Sequence, residues 1–297
     1  MSASITILTP TYNRADKLEN LFASLLSQTN KNFDWLIVDD GSADGTREVV
    51  EGFKKRADFP VNYIYKKNGG KHTALNVGIA AISALLTFIV DSDDTLTEDA
   101  VQTILESQEK YKDLQNICGF AFLRKFTDGK INGEKFKPDG KIGTYIDVRI
   151  NSGDIFADKA EVYYTEILKK YPFPEFEGER FLGEDVVWIR MALDYSMVHL
   201  NRAIYVGEYL SDGLTSGRRL NNIRSPRGCV LRAREFMRKQ IKFKYRLKGT
   251  LQYIVYGKFA GQKYGKIMKE SPKKFLTFLC YPAALIIYKK WKKSAKV

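Results

Sequence analysis

The stretch Phe88–Asp94 constrains the fold of this chain more than any other part of its sequence. Three apolar residues, FIV, run directly into the acidic sequence DSDD. A short apolar run of this kind is typical of a strand buried on both faces of a parallel sheet. The carboxylates then lie at the carboxyl end of that strand, where open α/β sheets bind their ligands. Asp91 and Asp93 repel each other unless they share a cation, which indicates a divalent metal site. The alternative is a solvated acidic turn in which Asp94 or Thr95 caps the next helix.

Strand and helix patterns alternate along the first third of the chain. Short apolar runs predict strands at 5–9, 33–38, 61–65 and 88–90. Apolar residues at helical spacing predict helices at 18–26, from 46, and at 71–82. We place residues 10–14 in a loop, because Pro10 lacks a backbone donor. Further on, the sequence predicts a helix near 98–111, a strand at 117–124 and a helix beginning near Gly183. This order predicts an α/β fold with a mostly parallel sheet, right-handed crossovers and helices on its faces.

The net charge of +13 is divided unevenly between two parts of the chain. Residues 218–297 contain 23 Lys and Arg against 2 acidic residues, a balance of +21. Residues 1–217 contain 25 basic and 33 acidic residues, a balance of −8. We therefore predict a catalytic domain at 1–217 and a basic helical region at 218–297. Such a region binds polyanions, either nucleic acid or an anionic membrane surface.

An apolar run at 275–288 lies within the basic region, between the lysine pairs KK at 273–274 and 289–290. Fourteen residues form a helix of about 21 Å, which is shorter than the roughly 30 Å of a bilayer core. We expect Pro282 to interrupt the run. The sequence thus predicts an anchor at the membrane interface. The alternative is a basic helical pair that packs on the body or on a second subunit. We also expect a chain cut near residue 220 to stay soluble and keep its donor site.

Cysteine usage and the amino terminus bear on the compartment. The three cysteines, Cys118, Cys229 and Cys280, are odd in number and widely separated. They match no metal-binding or disulfide spacing, so we expect a reducing, cytoplasmic compartment. Residues 1–4 lead directly into a strand pattern, and we expect no signal peptide. Together with the basic region, this predicts a protein on the inner face of the cell membrane.

Five motifs resemble those of family 2 glycosyltransferases. In chain order they are PTYNR at 10–14, VDDGS at 38–42, GGKHTALN at 69–76, DSDD at 91–94 and GED at 183–185. The resemblance covers residues 4–216. It implies an inverting enzyme with the A-type glycosyltransferase fold that uses a nucleotide sugar. By analogy the donor is a UDP-sugar and the metal is Mn²⁺ or Mg²⁺.

The resemblance assigns the nucleotide to residues near the amino terminus. Pro10, Thr11 and Tyr12 would line the uracil pocket, with Tyr12 as the stacking candidate. Asp40 would accept a hydrogen bond from uracil N3–H, a task that suits a carboxylate. Lys71 matches a position whose cation faces the nucleotide. The alternative for Lys71 is a solvated residue at a helix start.

The metal and the chemistry are assigned to the two later motifs. Asp93 would hold the metal directly, and Asp91 would bind ribose or a metal-bound water, with Ser92 between them in the donor site. Asp185 is the expected catalytic base, because inversion needs one carboxylate to take the proton of the attacking hydroxyl. Glu184 is assigned to acceptor binding or to orienting its helix. Ordinary acids in a first helical turn are the alternative for both.

The implied activity is transfer of a hexose or N-acetylhexosamine to a hydroxyl of a saccharide or lipid-linked acceptor. Cell-surface polysaccharide synthesis is the expected setting, and a homo-oligomer is compatible with the sequence. Asp212 and Arg218 are further candidates for a metal ligand and a phosphate partner. Two alternatives remain at this point: a metal-dependent nucleotidyltransferase, and a nucleic-acid-binding protein that uses the basic region. The second is disfavoured, because the region lacks a recognised nucleic-acid motif.

Overall fold

The structure is a computed structural model that describes residues 3–154, 157–207 and 218–295. The described strands are β1 (Ile5–Thr11), β2 (Phe33–Asp39), β3 (Val61–Tyr65), β4 (Leu86–Ile89), β5 (Thr95–Leu96), β6 (Ile117–Lys125), β7 (Lys141–Gly143), β8 (Lys159–Tyr164) and β9 (Ser196–Val206). The described α-helices are α1 (Ala15–Leu26), α2 (Thr46–Arg56), α3 (Lys71–Ala81), α4 (Ala100–Tyr111), α5 (Thr165–Leu168), α6 (Asp185–Met191), α7 (Arg218–Arg224), α8 (Pro226–Phe236), α9 (Phe243–Phe259), α10 (Tyr264–Glu270) and α11 (Lys274–Ala295). A π-helix spans Ile146–Asn151.

The strands form one mixed sheet in the order β3-β2-β1-β4-β8-β6-β9-β5, and β7 pairs with β9. Strands β1 to β4 pair in parallel, whereas β8 runs antiparallel to both β4 and β6. The predicted mixed α/β sheet with flanking helices is therefore confirmed, with parallel pairing among β1 to β4 and between β6 and β9. Because β1, β2 and β4 are parallel, their carboxyl ends meet at one edge of the sheet. The acidic sequences that follow β2 and β4 consequently lie at the same edge.

Helices cover both faces of the sheet, because side chains alternate along each strand. In β1, Ile5 and Ile7 pack into one apolar layer and Leu8 packs into the other. The first layer includes Phe22 from α1 and Phe53 from α2, whose ring centroids are 4.3 Å apart. These two buried layers fix the strand ends that carry the acidic residues.

The amino-terminal strand continues further than the sequence predicted. Pro10 and Thr11 belong to β1, in register with Val38 and Asp39, so the placement of both residues in a loop was wrong. The Asp40 N–H donates to the Thr11 carbonyl, which directs Thr11 towards β2. Because successive residues of a strand direct their backbone groups to opposite sides, the backbone of Pro10 faces β4. The pairing of β4 with β1 ends earlier, at Ile89. The donor that proline lacks is not needed at this position.

Helices α7–α9, which we call the proximal helices, pack against the sheet. Phe236 and Ile241 belong to the same apolar cluster as Leu8 of β1. Glu179 accepts hydrogen bonds from the backbone N–H groups of Arg227 and Gly228, each at 2.8 Å. The proximal helices thus share a core with the body. This packing argues against the expectation that a chain cut near residue 220 keeps an intact donor site.

Helices α10 and α11, which we call the distal helices, pack on α9 through Tyr253, Ile267, Cys280 and Ala284. Helix α11 runs through Pro282, so the predicted interruption was wrong. Pro282 leaves the Phe278 carbonyl without its helical donor. Phe278 is exposed, so water can hydrogen-bond that carbonyl. Among the described helices, none is both long enough and apolar enough to cross a bilayer.

Candidate active site

A cavity of about 470 Å³ lies at the carboxyl edge of the sheet, beside the proximal helices. Its lining includes four of the predicted site residues: Lys71, Asp91, Glu184 and Asp185. The remaining predicted residues lie outside the lining: Pro10, Thr11, Tyr12, Asp40, Ser92 and Asp93. The structure therefore brings the predicted base and one acidic residue after β4 together.

Lys71 connects the two parts of this acidic site. Its Nζ lies 2.6 Å from Asp91 Oδ1 and 2.7 Å from Glu184 Oε1. The preceding residue, Gly70, has a φ of +98°, and a Cβ there would come within 2.0 Å of the Arg180 carbonyl oxygen. Only glycine fits at that position. Burial disfavours the ammonium ion, but the two carboxylates outweigh it and raise the pKa of Lys71 above its ordinary value.

The three carboxylates after β4 differ in their surroundings. Burial tends to raise the pKa of Asp91, but the Lys71 ammonium outweighs it and holds that pKa below its usual value. Asp93 Oδ2 lies 3.2 Å from Arg14 Nη1, and its side chain is 24% exposed. Asp94 is buried between Arg124 Nη2 at 2.8 Å and Tyr205 Oη at 2.7 Å. Asp94 thus holds the loop in place, while Asp91 and Asp93 keep partly exposed carboxylates.

Ser92 lies between these two carboxylates and is 7% exposed. Among the described residues, no group of three or more His, Cys, Asp or Glu side chains is arranged to hold a metal ion. A hard divalent cation commonly takes one or two carboxylates and completes its shell with substrate phosphates and water. Asp91 and Asp93 fit that donor set, because each is partly exposed and pairs with a cation that a metal ion would displace.

Asp185 begins α6 and faces a residue that sequence reasoning placed in the basic region. Both carboxylate oxygens of Asp185 pair with Arg232 of α8, and Arg232 Nε lies 2.7 Å from Oδ1. Burial acts against the guanidinium charge, but the Asp185 carboxylate outweighs it and raises the pKa of Arg232 above its ordinary value. The planar guanidinium fork fixes the orientation of the carboxylate. Oδ2 accepts from both Nε and Nη2 of Arg232, whereas Oδ1 accepts from Nε alone and has a second lone-pair direction available for a proton.

The residues predicted to line the uracil pocket lie at the end of β1 and directly after it. Tyr12 is 48% exposed, as a stacking surface requires, and Pro10 is buried. Thr11 is 3% exposed, and its buried Oγ1 has no hydrogen-bond partner in the described part of the chain. An unpartnered buried hydroxyl is costly unless a ligand completes it. Contacts of these three residues with a nucleotide stay predictions.

Asp40 is engaged by the protein itself. Its carboxylate accepts hydrogen bonds from the backbone N–H groups of Gly69 at 2.9 Å and Gly70 at 2.7 Å. It also pairs with Lys66 Nζ at 2.7 Å, and the residue is 3% exposed. The structure gives Asp40 the task of holding the turn that positions Lys71. Its contact with uracil stays a prediction.

A second buried charge cluster lines the other side of the cavity and was missed by sequence reasoning. Arg149 of the π-helix donates from Nη1 to Glu161 Oε1 at 2.9 Å. Burial raises the pKa of Glu161 to about 7, although Arg149 opposes the shift. Tyr163 follows two residues later on β8 and lines the same cavity. The sequence signal for Glu161 was a single acid within the apolar and aromatic run AEVYY, a pattern that favours an inward-facing charge.

His199 is buried in β9, with Nδ1 3.1 Å from the Lys141 carbonyl oxygen, and burial lowers its pKa to about 4. These contacts are those of a structural histidine. Asp212 and the side chain of Arg218 lie outside the described residues.

The sequence and the fold correspond to known proteins. The sequence matches the family model described as glycosyl transferase family 2 over residues 6–163. It is 28% identical to glycosyltransferase GlyG of Streptococcus pneumoniae over 216 residues, which cover 69% of this chain and 71% of GlyG. It is 29% identical to the putative teichuronic acid biosynthesis glycosyltransferase TuaG of Bacillus subtilis over 119 residues, 40% of this chain and 45% of TuaG.

Two solved structures share the fold. S. aureus TarS 1-349 in complex with UDP-GlcNAc superposes with a TM-score of 0.60 at 18% identity, covering 98% of this chain and 91% of that chain. The mannosyltransferase PcManGT from Pyrobaculum calidifontis, in complex with GDP-Man and Mn²⁺, gives 0.57 at 16% identity, covering 100% and 84%. Since the family model alone covers more than half of the sequence, the chain belongs to glycosyltransferase family 2 and has the A-type fold of that family.

Proposed function

We propose that this protein is an inverting glycosyltransferase that moves a sugar from a UDP-sugar to a hydroxyl of a saccharide or lipid-linked acceptor. One observation carries the proposal: Asp91, Lys71, Glu184 and Asp185 line a single cavity at the carboxyl edge of the sheet. The name of TuaG, a putative teichuronic acid biosynthesis glycosyltransferase, supports cell-surface polysaccharide synthesis. The UDP-GlcNAc bound to TarS supports a UDP-sugar donor. Transfer of a hexose or N-acetylhexosamine agrees with the UDP-GlcNAc bound to TarS.

Asp185 is the general base of this proposal. It takes the proton of the acceptor hydroxyl while that oxygen attacks the anomeric carbon of the donor. The bond from this carbon to the diphosphate oxygen breaks, UDP leaves, and the configuration inverts. Arg232 is a positioning residue, because its guanidinium fork holds the carboxylate in one orientation. A second nucleophilic carboxylate is not needed for inversion.

The diphosphate leaving group lies near Asp91, Asp93 and Lys71 in this proposal. Asp93 and Asp91 would hold a divalent ion, and Mn²⁺ bound beside GDP-Man in PcManGT supports that choice. A bound Mn²⁺ or Mg²⁺ supplies charge neutralisation at the diphosphate. Lys71 exchanges part of its contact with Asp91 for a phosphate oxygen and adds a second cation. Glu184 keeps Lys71 in place from the other side.

The uracil base would stack on exposed Tyr12, with Pro10 and Thr11 lining its edge. The unpartnered Thr11 Oγ1 supports this assignment, because a base edge supplies the missing hydrogen bond. The rigid Asp40 carboxylate holds the turn at Gly70 and offers its remaining lone pair to uracil N3–H.

The distal helices would hold the enzyme on the cytoplasmic side of an anionic membrane. One face of α11 exposes Phe275 by 77%, Phe278 by 58%, Leu279 by 56% and Ile286 by 70%. Residues 271–297 contain no Asp or Glu, so every charged side chain in this stretch is cationic. Exposed apolar residues bordered by lysine favour insertion at the interface of an anionic bilayer.

Calorimetric titration of UDP and UDP-GlcNAc, with and without Mn²⁺, tests the donor assignment. We expect Mn²⁺ to strengthen binding to the native protein, and Asp93→Asn to remove most of that enhancement. Asp128→Asn, which replaces an exposed carboxylate paired with Lys130, is the matched control. Equal enhancement by Mn²⁺ in native protein and Asp93→Asn would rule out Asp93 as the ligand. Native protein that binds no UDP would overturn the proposed donor.

A further inference from the structure

The wall of the cavity formed by β8 contains two polar groups that the proposed reaction leaves unused. Glu161 and Tyr163 are two residues apart on one strand, so both side chains point to the same face of the sheet. Strand β8 is the antiparallel neighbour of β4, with Val162 opposite Phe88. Glu161 therefore lies beside the strand whose carboxyl end leads to Asp91.

Each of these two side chains has an unused hydrogen-bonding position. Arg149 donates to Glu161 Oε1, while Glu161 Oε2 has no hydrogen-bond partner among the described residues. The Tyr163 hydroxyl is also without a partner in the described part of the chain, although Tyr163 is 1% exposed. Buried polar groups are normally hydrogen-bonded, and an exception in a cavity wall indicates a missing ligand.

We propose that Glu161 and Tyr163 bind hydroxyl groups of the sugar ring that the enzyme transfers. This inference rests on the proposed function, which requires that ring to lie between the diphosphate at Asp91 and the base Asp185. Glu161 borders that space, because it lines the same cavity as Asp91, Glu184 and Asp185. A sugar hydroxyl can donate to Glu161 Oε2 and also pair with the Tyr163 hydroxyl.

The charges around this wall select a neutral sugar. Six cations line the cavity, the sixth being Lys248, and five of them are in an ion pair with a carboxylate: Lys71, Arg124, Arg149, Lys159 and Arg232. A uronic acid would place a further carboxylate among these paired charges, near Glu161. Like charges at short distance disfavour binding. We therefore expect a hexose or N-acetylhexosamine donor to bind more tightly than a uronic acid donor.

The experiment compares UDP with UDP-sugars in the presence of Mn²⁺. Calorimetry measures the affinity of the native protein for UDP, UDP-glucose, UDP-GlcNAc and UDP-glucuronic acid. We expect at least one neutral UDP-sugar to bind more tightly than UDP, and UDP-glucuronic acid to show no gain. Glu161→Gln should weaken the preferred sugar donor about tenfold or more, the usual effect for a hydrogen bond to a charged group. Its affinity for UDP should not change.

Tyr163→Phe provides the second variant, because Glu161→Gln leaves Arg149 without its partner. Removing a hydroxyl that has no protein partner does not destabilise the fold, so the melting temperature should be unchanged or higher. We expect the affinity for the preferred UDP-sugar to fall about two- to tenfold. Tyr164→Phe, on the opposite face of β8, is the matched control.

The outcomes separate the two proposals. Native protein that binds no UDP overturns the proposed function and this inference with it. Binding of UDP without any gain from a neutral sugar, or a gain that Tyr163→Phe and Glu161→Gln both retain, overturns the inference alone. If the affinity for the donor stays constant while the KM for the acceptor rises in both variants, Glu161 and Tyr163 bind the acceptor rather than the donor sugar, and the inference is overturned.

Discussion

The proximal and distal helices come from one basic stretch of sequence, yet they use their charge in different ways. In the proximal helices, Arg232 is partly buried and paired with Asp185, and Arg227 is bound to Glu179. In the distal helices, Lys289, Lys290 and other lysines stand at the exposed surface. The balance of +21 over residues 218–297 therefore combines cations that build the cavity with cations that face solvent.

The number of charged residues in a stretch of sequence does not show which anions those residues bind. An excess of lysine and arginine indicates attraction to anions. Burial determines whether the anion is a carboxylate of the same protein or a surface outside it. Arg232 lies on α8, 47 residues beyond its partner Asp185, and only the folded structure brings the two together. The predictions below test this division of the basic region, beginning with the largest expected effect.

A chain ending at residue 217 should lose both its fold and donor binding. Its sheet would expose the apolar surface that Phe236 and Ile241 cover, and Asp185 would lose Arg232. Thermal unfolding followed by circular dichroism, together with UDP titration, measures both effects. A truncated protein that unfolds cooperatively and binds UDP like the full chain would show that the proximal helices are a separate appendage.

Arg232→Lys should reduce kcat about tenfold to a hundredfold, because the variant keeps the charge but loses the fork that orients Asp185. The affinity for the UDP-sugar should not change. Arg234→Lys is the control, since Arg234 lies two residues away on the same helix and is exposed. Equal kcat values for the two variants would contradict a positioning role for Arg232.

Replacing the exposed apolar residues of α11 by Gln should weaken binding to anionic vesicles about tenfold or more. The four positions are Phe275, Phe278, Leu279 and Ile286, and each buried methylene contributes about 0.8 kcal/mol to such binding. Turnover with a water-soluble acceptor should stay constant. The control replaces Leu85 and Ile142, two similarly exposed apolar residues elsewhere on the surface. Vesicle sedimentation distinguishes the two sets, and an equal loss in both would remove the assignment of α11 to the membrane.

Single replacements of Lys289, Lys290 or Lys293 by Gln should have the smallest effect. Each lysine near an anionic surface contributes about 1 kcal/mol, which corresponds to about fivefold in vesicle affinity. The effect should disappear in high salt, whereas the apolar contribution should persist. Lys55→Gln on α2 is the matched control. Tight binding to RNA with no affinity for anionic vesicles would instead support the nucleic-acid alternative.

Periodicity was sufficient to predict most of the amino-terminal half. Apart from the two-residue strand β5, the strands and helices from β1 to α4 follow local patterns of apolar residues, and the edge where Asp91 lies follows from the parallel order of β1 to β4. Local patterns did not show that Asp40 and Asp91 have different surroundings, because both residues follow buried strands. The structure separates them by burial, because Asp40 is enclosed by the turn at Gly69 and Gly70.

The missed residues depend on contacts that local sequence does not encode. Arg149 and Glu161 meet because the π-helix folds back onto β8, in a part of the chain where no regular pattern predicted an element. Pro282 was expected to interrupt the apolar run, but the hydrogen bond that it removes belongs to Phe278, a residue on the exposed face of the helix. In both cases tertiary surroundings override the local signal.

The most direct test of the account is the kinetics of Asp185→Asn. Removing the base should lower kcat about 10²–10⁴-fold, the usual range for general-base catalysis. The affinity for UDP and for the UDP-sugar, measured by calorimetry, should stay within about twofold of the native value, because Asp185 acts on the acceptor. Asp194→Asn, an exposed carboxylate shortly after α6, is the matched control. Turnover that survives in Asp185→Asn, or donor binding that collapses while the fold is intact, would contradict the assignment of Asp185 as the catalytic base.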